Sequence, residues 1–405
     1  MILLTNARIV LPDGVRPDGW LRLDGRRIAE VGPAGSVPEP SYTDPHEQTM
    51  DLGGRYLLPG YVDIHTHGGG GAAFSSGDIE QALRAAAFHR GHGTTTIMAS
   101  TVSTELDVLE RYLSDLAGLV EDGLLAGLHL EGPFISKARC GAHDPALLKN
   151  PDPALLRPLL AAGRGAVKMV TLAPELDYGI EATALLANSG VIAAVGHTDG
   201  GYGIASEAFT RGARVATHLF NAMRGVHHRE PGPVVAAIED ENVIVELVHD
   251  GIHVHPAVIG MVFNAVGPHR VALITDAMAA AGQPDGMYRL GKLDVEVSGG
   301  VARLAGGGSI AGSTLTMDSA LRRTVRELGL PIEDAAVSAA LTPARALGLD
   351  HEIGSIEVGK YADLVVLDDE LEVLGVMKRG EWAVTPPPPP APSAPSPSSP
   401  PPDTE

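Results

Sequence analysis

The chain has 405 residues, 44% of them hydrophobic and 20% charged, a balance typical of a globular protein with room for a large α/β domain and a smaller one. Its formal net charge of −20 argues against a nucleic-acid partner, because such a partner needs a basic face. The longest apolar run is shorter than the roughly 18 residues of a membrane-spanning helix, the N-terminus lacks the basic region of a secretory leader, and the single cysteine, Cys140, excludes an intrachain disulfide. We therefore expect a cytoplasmic protein with no membrane partner.

Both ends of the chain predict short β-structure. Residues 1–55 contain apolar runs broken by Gly, Asn and Asp, and a similar pattern recurs over residues 351–384. We expect these two segments to form one small β-sandwich domain. Residues 385–405 are rich in proline and serine, which cannot sustain a sheet or helix, so they predict a disordered tail with no catalytic part.

Residues 56–350 alternate between apolar, β-branched segments and helical patterns. The eight apolar segments end at YVDIHTH, TTTIMAST, LAGLHLEGP, VKMVTLAPE, VIAAVGHTD, ARVATHLFNA, VIVELVHDG and RVALITDAM. Helical patterns cover 78–89, 105–120, 204–210 and 317–328. The alternation predicts the α/β class and a (β/α)8 TIM barrel, with an open doubly wound sheet as the alternative. Polar residues that directly follow most of the strands favour the barrel, whose active sites lie at that end.

Histidines and carboxylates follow the predicted strands. They are His65, His67, Glu131, His197, His218, His249, Asp250 and Asp276. A lone histidine in such a place is more often a hydrogen-bonded core or surface residue. However, residues i and i+2 of a strand share a face, so His65 and His67 can grip one cation together. Imidazole and carboxylate converging on one barrel mouth predict a site for Zn²⁺ or a related divalent metal.

Two further residue patterns bear on this site. Asp276, at the end of the eighth strand, is suited to take a proton from a metal-activated water, and a plain helix N-cap is the alternative. The four glycines after His67 are expected to let substrate or a loop approach closely.

Nine segments then carry a resemblance. They read VDIHTHGG, LHLEGPF, GHTDG, THLFNAM, HHREPG, DGIHV, ITDAM, AGSTLTM and GSIEVGKYADLVVLD. Together they resemble the N-acetylglucosamine-6-phosphate deacetylases of the amidohydrolase superfamily, over roughly residues 1–384. The resemblance implies metal-dependent hydrolysis of the acetamide of N-acetyl-D-glucosamine 6-phosphate to D-glucosamine 6-phosphate and acetate, in amino-sugar catabolism or recycling.

The resemblance also implies roles for individual residues. Those that match metal ligands are Glu131, His197 and His218, with His65 and His67 as the pair found only in members with a second metal. It implies one or two divalent ions per subunit, zinc first, with iron, manganese or cobalt as alternatives. Asp276 matches the catalytic acid/base, and His143 matches the histidine that helps to polarise the acetamide carbonyl.

Substrate contacts are implied in the same way. The matching residues are Ala142, His143, Asn221, Ala222, Arg229, Asp250, His253, Ile310, Ala311 and Gly312. Arg229 and His253 match phosphate contacts, and in similar enzymes the arginine comes from the neighbouring subunit, so a homodimer is expected. A solvated surface arginine is the alternative for Arg229.

Other functions stay open. Lys168 lies near the start of its strand and not at the end where a carboxylated bridging lysine would lie, and Glu131 can bridge instead, which disfavours a dihydroorotase- or hydantoinase-like enzyme. The runner-up is a deacetylase or deaminase for another small amide or amidine, such as a different acetylated amino sugar. A non-catalytic, metal-stabilised binding protein is the alternative outside catalysis.

Overall fold

The structure is a computed structural model that describes residues 1–33, 35–38 and 46–389. The predicted disordered tail lies outside the described residues from 390 onward, and residues 385–389 have no regular secondary structure. No helix in the described part of the chain is both long and apolar enough to cross a bilayer.

The described residues form strands and α-helices that we label in chain order. The strands are β1 (Ile2–Leu11), β2 (Gly14–Asp24), β3 (Arg27–Gly32), β4 (Gln48–Asp51), β5 (Tyr56–Pro59), β6 (Tyr61–Asp63), β7 (Gly68–Gly69), β8 (Ala72–Ala73), β9 (Thr94–Thr101), β10 (Gly127–Glu131), β11 (Val167–Leu172), β12 (Ile192–Val195), β13 (Val215–Ala216), β14 (Ile244–Leu247), β15 (Val271–Leu273), β16 (Gly286–Leu290), β17 (Leu293–Ser298), β18 (Val301–Leu304), β19 (Leu364–Leu367), β20 (Val373–Lys378) and β21 (Glu381–Val384). The α-helices are α1 (Ile79–Gly91), α2 (Leu106–Glu121), α3 (Pro153–Ala162), α4 (Gly179–Asn188), α5 (Tyr202–Thr210), α6 (Gly232–Glu239), α7 (Pro256–Val266), α8 (Met317–Leu328), α9 (Ile332–Ala336) and α10 (Thr342–Ala346).

Eight parallel strands form the central sheet, in the order β6-β9-β10-β11-β12-β13-β14-β15. The order follows the chain without reversal, as successive βα units do when they wind into a barrel. The first and last strands, β6 and β15, meet at a seam. There the Asp276 N–H donates to the His65 carbonyl at 2.9 Å. The buried Asp63 side chain on β6 accepts from the Thr275 hydroxyl, which follows β15, at 2.6 Å. The predicted (β/α)8 barrel is confirmed, and the open doubly wound sheet is wrong because it needs a reversal of strand order.

The helical predictions are confirmed as well. The pattern over 78–89 corresponds to α1, whose first turn is capped by Asp78, because its carboxylate accepts from the Glu80 N–H at 2.8 Å. The pattern over 317–328 corresponds to α8 with the same bounds. These segments are long and regular enough for their apolar period to identify them.

Both chain ends meet in a separate eight-stranded sheet, as predicted. Its order is β21-β20-β19-β5-β1-β2-β3, with β4 also pairing with β1. The register of β1 shifts between Leu4 and Ala7, so β4 pairs with its first half and β5 with its second half. Because β5 also pairs with β19, it belongs to this sheet. We propose a domain boundary at Gly60, five residues beyond the expected end of the first segment at residue 55.

A three-stranded antiparallel sheet between the last barrel strand and α8 was not predicted. It consists of β16, β17 and β18, and its apolar residues pack against Val102, Ala142 and Met278 near the barrel mouth. The chain then returns to the barrel, where the Ser313 N–H donates to the Asp276 carbonyl at 2.7 Å. This insertion forms one wall above the strand ends.

The barrel interior below the mouth is apolar. Side chains from successive strands, including Ile64, Met98, Met169 and Ala272, are buried together there. Such a packed layer excludes water from the lower part of the barrel. Polar chemistry is therefore restricted to the carboxyl ends of the strands.

We expect the Asp63→Ala substitution to lower the free energy of unfolding by about 3 kcal/mol, because it removes the buried acceptor of the Thr275 hydroxyl and of the His65 N–H. Urea denaturation followed by circular dichroism measures the change. Asp294→Ala is the control, since its ion pair with Arg289 is exposed and worth at most about 1 kcal/mol. Equal unfolding midpoints for the two variants would contradict a seam role for Asp63.

Candidate metal and substrate site

Two groups of three buried side chains lie together at the carboxyl ends of the barrel strands. In each group the nitrogen and oxygen atoms available to a metal lie within 4.8 Å of one another. The first group is His65, His67 and Asp276, and the second is Glu131, His197 and His218. All six were predicted from the sequence to follow barrel strands, and the structure brings them to one place.

The second group is spaced as ligands of a small cation would be. The Nε2 atoms of His197 and His218 lie 3.2 and 2.9 Å from Glu131 Oε1, and 3.0 Å from each other. Ligand atoms at ~2.0–2.1 Å from a tetrahedral zinc are roughly 3.3 Å apart, close to these separations. The His197 Nδ1–H donates to the Arg139 carbonyl at 2.8 Å, which leaves the Nε2 lone pair facing the centre. These donors fit a divalent metal.

Two histidines of the first group also lie close to Glu131, which belongs to the second group. His67 Nε2 lies 3.0 Å from Glu131 Oε2 and 3.3 Å from Asp276 Oδ1. His65 Nε2 lies 3.4 Å from Glu131 Oε1, within ion-pair range but without a hydrogen bond. The two oxygens of Glu131 thus face both groups, so this carboxylate can bridge two ions.

The electrostatics of the two groups point to a cation as well. Burial opposes charge on His67, but its hydrogen bonds with Asp276 and Glu131 outweigh burial and raise its pKa to about 9. Burial alone would raise the pKa of Asp276, yet the hydrogen bond from His67 and the charge of His65 bring it below its usual range. Protons on the imidazoles therefore balance the buried carboxylates where a metal would otherwise do so.

Backbone conformation turns these side chains inward. His197, His218 and Asp276 have φ angles of 47°, 27° and 48°, in the left-handed region that residues other than glycine rarely adopt. Each such residue costs of order 1–3 kcal/mol and persists only where surrounding contacts enforce it. Three of the candidate site residues share this conformation, each shortly after a barrel strand, and such strained residues often occur at functional sites.

Several residues that orient the site were missed by the sequence analysis. Glu246 on β14 is fully buried, and its Oε2 accepts from His65 Nδ1 at 3.0 Å and from the His218 N–H at 3.1 Å. The contact fixes the His65 tautomer with Nε2 facing the centre. His129 packs edge-on against His65, with ring centroids 4.6 Å apart. The sequence did contain a signal for Glu246: it is a carboxylate inside the apolar strand VIVELV, where an unpaired charge is costly.

His143 is oriented by Ser103, another residue that was not predicted. The Ser103 N–H donates to His143 Nδ1 at 3.3 Å, and the Ser103 hydroxyl lies 2.8 Å from the same atom. Nδ1 therefore carries a lone pair and Nε2 carries the proton, 3.4 Å from Glu131 Oε2. Burial lowers the pKa of His143, so the ring is a neutral donor.

We call the two groups of candidate ligands together the metal cluster. A cavity of about 320 Å³ lies directly above it. The predicted substrate residues that line it are Ala142, His143, Asn221, Ala222, His253, Ile310 and Gly312. Ala311 is buried and is not among the lining residues. Asp250 accepts from His253 Nδ1 at 2.6 Å, so it orients that ring.

Two arginines stand in different positions relative to the cavity. Arg229 is exposed, forms a hydrogen bond with His228 Nε2 at 2.7 Å, and does not line the cavity of its own chain. Its contact with substrate stays a prediction. Arg139, which was not predicted, does line the cavity and is held by Asp199, with its Nε 2.9 Å from Asp199 Oδ1.

The glycines after His67 serve the scaffold and not the cavity. A Cβ added at Gly69 would lie 2.6 Å from the Phe88 ring and 2.7 Å from His89 Nε2. The His89 ring in turn donates to the Gly68 carbonyl at 2.9 Å. The glycines thus allow a close approach, as expected, but the segment that approaches at Gly69 is helix α1.

Comparison with known proteins identifies the family. A model of the amidohydrolase family matches residues 56–383. The chain belongs to the amidohydrolase family. It is 36% identical over 371 residues to the N-acetylgalactosamine-6-phosphate deacetylase of Escherichia coli O157:H7, which covers 90% of this chain and 96% of that protein. It is 35% identical over 403 residues to the N-acetylglucosamine-6-phosphate deacetylase of Bos taurus, with 95% and 96% covered.

Solved structures of the amidohydrolase family agree with this. A mutant N-acetyl-D-glucosamine-6-phosphate deacetylase from Mycobacterium smegmatis, in complex with N-acetyl-D-glucosamine-6-phosphate, is 46% identical with a TM-score of 0.90, and 95% of this chain and 99% of that chain are covered. The enzyme from Thermotoga maritima is 30% identical with a TM-score of 0.84, covering 94% and 99%. The resemblance inferred from the sequence motifs is confirmed.

We expect Glu246→Gln to weaken the binding of a divalent metal by about tenfold or more, because an amide holds the His65 tautomer less firmly than a carboxylate does. Competition with a chromophoric chelator measures the affinity directly, without any assay of activity. Glu296→Gln, at an exposed position on β17, is the control and should bind metal as the wild type does. Wild-type affinity in Glu246→Gln would show that this contact does not act on the metal.

Proposed function

We propose that the chain hydrolyses the acetamide of N-acetyl-D-glucosamine 6-phosphate to D-glucosamine 6-phosphate and acetate, in amino-sugar catabolism or recycling. The observation that carries the proposal is one cavity of about 320 Å³ in which Asp276 and His143 both face Glu131 and its histidines. Metal-dependent amide hydrolysis uses this arrangement: a proton carrier, an oxyanion donor and a metal position within one small space.

The metal would be held by the two groups that meet at Glu131. Glu131, His197 and His218 would bind one ion, and His65 and His67 would bind a second. Zinc suits this mixture of imidazole and carboxylate, and iron, manganese and cobalt share the preference. When bound, such an ion lowers the pKa of a water molecule and polarises a carbonyl oxygen.

Asp276 would act as the proton carrier. Its carboxylate is ionised at neutral pH because its pKa is lowered, and it lies at the cavity floor beside His67. One carboxylate oxygen takes a proton from the attacking water and passes it to the leaving amine nitrogen.

His143 would stabilise the charge that develops on the acetamide oxygen. The ring is neutral, and its Nε2–H faces the cavity because Ser103 occupies Nδ1. A fixed, buried donor of this kind is worth more than one in water, because it needs no reorganisation during the reaction.

The remaining walls would bind the sugar and its phosphate. Asn221 and Ala222 lie on one side of the cavity, and residues 310–312 approach from the inserted sheet. His253 is oriented by Asp250, and Arg139 adds a guanidinium from the same chain. Guanidinium and imidazole donors suit a phosphate dianion.

Arg229 would reach the phosphate from a neighbouring subunit. Its side chain is exposed and stays outside its own cavity, so it contributes only if two chains pair. We accordingly propose a homodimer. We also propose that the enzyme acts in the cytoplasm, since its lone Cys140 is unpaired.

The epimeric substrate is the second candidate. The Escherichia coli O157:H7 relative, at 36% identity, is an N-acetylgalactosamine-6-phosphate deacetylase. The two sugars differ only in the configuration at C4, and their acetamide and phosphate groups are identical. The metal cluster would treat both alike, so the sugar walls must decide between them.

We expect Asp276→Asn to lower kcat by about a thousandfold, because an amide cannot take up the proton of the attacking water. Acetate release from N-acetylglucosamine 6-phosphate measures the loss, and the metal content of the variant is determined in parallel. Asp294→Asn is an exposed carboxylate control that should keep full activity. Wild-type turnover by Asp276→Asn would rule out the proposed role.

We expect Arg229→Ala and His253→Gln each to lower the preference for a 6-phosphorylated sugar by about tenfold or more, since a hydrogen bond to a charged group is lost. The ratio of kcat/KM for N-acetylglucosamine with and without its phosphate measures that preference. Arg211→Ala removes an exposed arginine of a helix-surface ion pair and should leave the ratio unchanged. A parallel assay with N-acetylgalactosamine 6-phosphate decides between the epimers.

If neither variant changes the ratio, the phosphate is bound elsewhere. If wild-type enzyme releases acetate equally well from the unphosphorylated sugar, recognition of the phosphate is ruled out.

A further inference from the structure

A second polar cleft lies far from the metal cluster. It is formed by Arg90 in α1, by the turn after α2, by the hairpin turn between β2 and β3, and by the turn between β20 and β21. The turns that follow α1 and α2 lead into barrel strands, so they lie at the end of the barrel opposite to the active site. The cleft has a volume of about 300 Å³ and joins the barrel to the terminal sheet.

Four cationic side chains line this cleft: Arg26, Arg90, Lys378 and Arg379. Within residues 1–33, 35–38 and 46–389, none of the four forms an ion pair or donates a side-chain hydrogen bond, and the Nε of Arg90 is buried without a partner. Burial and the nearby charge of Arg90 lower the pKa of Lys378 to about 8. An unpaired buried donor and mutually repelling cations are costly, and no ion pair among the described residues offsets that cost in the cleft.

Nearby carboxylates offset only part of this positive charge. Asp122 and Glu381 are exposed and make no ion pair with the four cations. Asp363, in the adjoining cavity, accepts from the Arg379 backbone N–H at 2.6 Å. Burial raises the pKa of Asp363, and the charges of Lys378, Arg379 and Arg90 oppose that rise, so Asp363 is one carboxylate facing three cations. The chain as a whole carries a net charge of −20, so this concentration of free cations is local and specific.

The cleft continues into a less polar cavity of about 190 Å³. The two spaces share Lys378 and Arg379, and the inner one extends between Ile97, Leu125 and the Tyr361 ring. The Arg379 guanidinium lies 4.9 Å from the centre of that ring. The shape therefore suits a ligand with a charged head and a flatter, less polar body.

We propose that this cleft binds a small molecule that carries a phosphate group. Planar guanidinium groups bind phosphate oxygens in pairs, and an ammonium adds a point charge. Arg90 and Lys378 would contact the phosphate, and Arg379, which lines both spaces, would lie between the phosphate and the less polar body of the ligand. Because the ligand touches both the barrel and the terminal sheet, its binding stabilises the folded chain. The proposal is independent of the deacetylase reaction.

The test is protection of Lys378 from acetylation, with inorganic phosphate as the probe. Full-length protein is treated with a limiting amount of acetylating reagent at pH 8, and peptide mass spectrometry measures each lysine. Lys292, an exposed lysine paired with Glu105, is the internal reference. We expect phosphate to slow acetylation of Lys378 several-fold and saturably, to leave Lys292 unchanged, and to raise the melting temperature. Sodium chloride at equal ionic strength should not protect.

Arg90→Gln separates a bound anion from simple screening. It should weaken the protection by phosphate about tenfold, since one charge-assisted hydrogen bond is lost. Arg84→Gln, exposed on the same helix, is the matched control and should be protected as the wild type is. Acetate release by Arg90→Gln should equal that of the wild type, so failure here is distinct from failure of the proposed reaction. Absence of protection in the wild type, equal protection by chloride, or full protection in Arg90→Gln would overturn the proposal.

Discussion

One buried carboxylate organises the active end of the barrel. Oxygen atoms of Glu131 lie within 3.4 Å of ring nitrogens from five histidines. Those histidines are His65, His67, His143, His197 and His218. Burying a carboxylate alone would cost several kcal/mol, so its partners are needed to keep it ionised. Burial alone would raise the pKa of Glu131, but the charge of His65 and the hydrogen bonds of the other rings bring it well below its usual range. A divalent cation can replace the protons in this cluster because the same lone pairs face the same point.

The barrel fold brings these residues together and holds them in place. The five histidines around Glu131 come from four separate parts of the chain, and the common end of the parallel strands brings them together. The strained φ angles at His197, His218 and Asp276 are stabilised by what surrounds them: Glu246 accepts from the His218 N–H, and the Asp276 N–H donates to the His65 carbonyl. The apolar layer beneath the cluster keeps water out of the barrel, so these polar contacts act in a low dielectric.

The sequence predicted those parts of the structure that depend on local pattern. The eight apolar segments became the barrel strands, and the histidines and carboxylates after most of them pointed to the metal cluster. His249 was among them but lies outside the cluster, with its Nδ1 3.1 Å from the Thr324 hydroxyl. Lys168 was predicted to be an ordinary strand residue, and its side chain is exposed on β11. Glu246, Ser103 and Arg139 could not be found in this way, because their roles arise from contacts with residues at least 28 positions away. The inserted sheet β16–β18 was missed because its short strands interrupt the alternating pattern without adding a barrel unit.

The two ends of the barrel differ in whether their cationic side chains are paired with carboxylates. At the active end, Arg139 and Arg224 both bind Asp199, so their orientation is fixed before any substrate arrives. At the opposite end, Arg90 and Lys378 have no such anchor among the described residues. Charges beyond about 10 Å are screened in physiological salt, so the net charge of the chain does not prevent either end from attracting an anion. A preorganised cation favours fast, specific turnover of one substrate, whereas an unpaired cluster gains stability only when an anion is bound. Arg139 and Arg224 are thus held in place without a ligand, whereas Arg90 and Lys378 gain a partner only from the proposed anion. Binding of that anion couples the barrel to the terminal sheet.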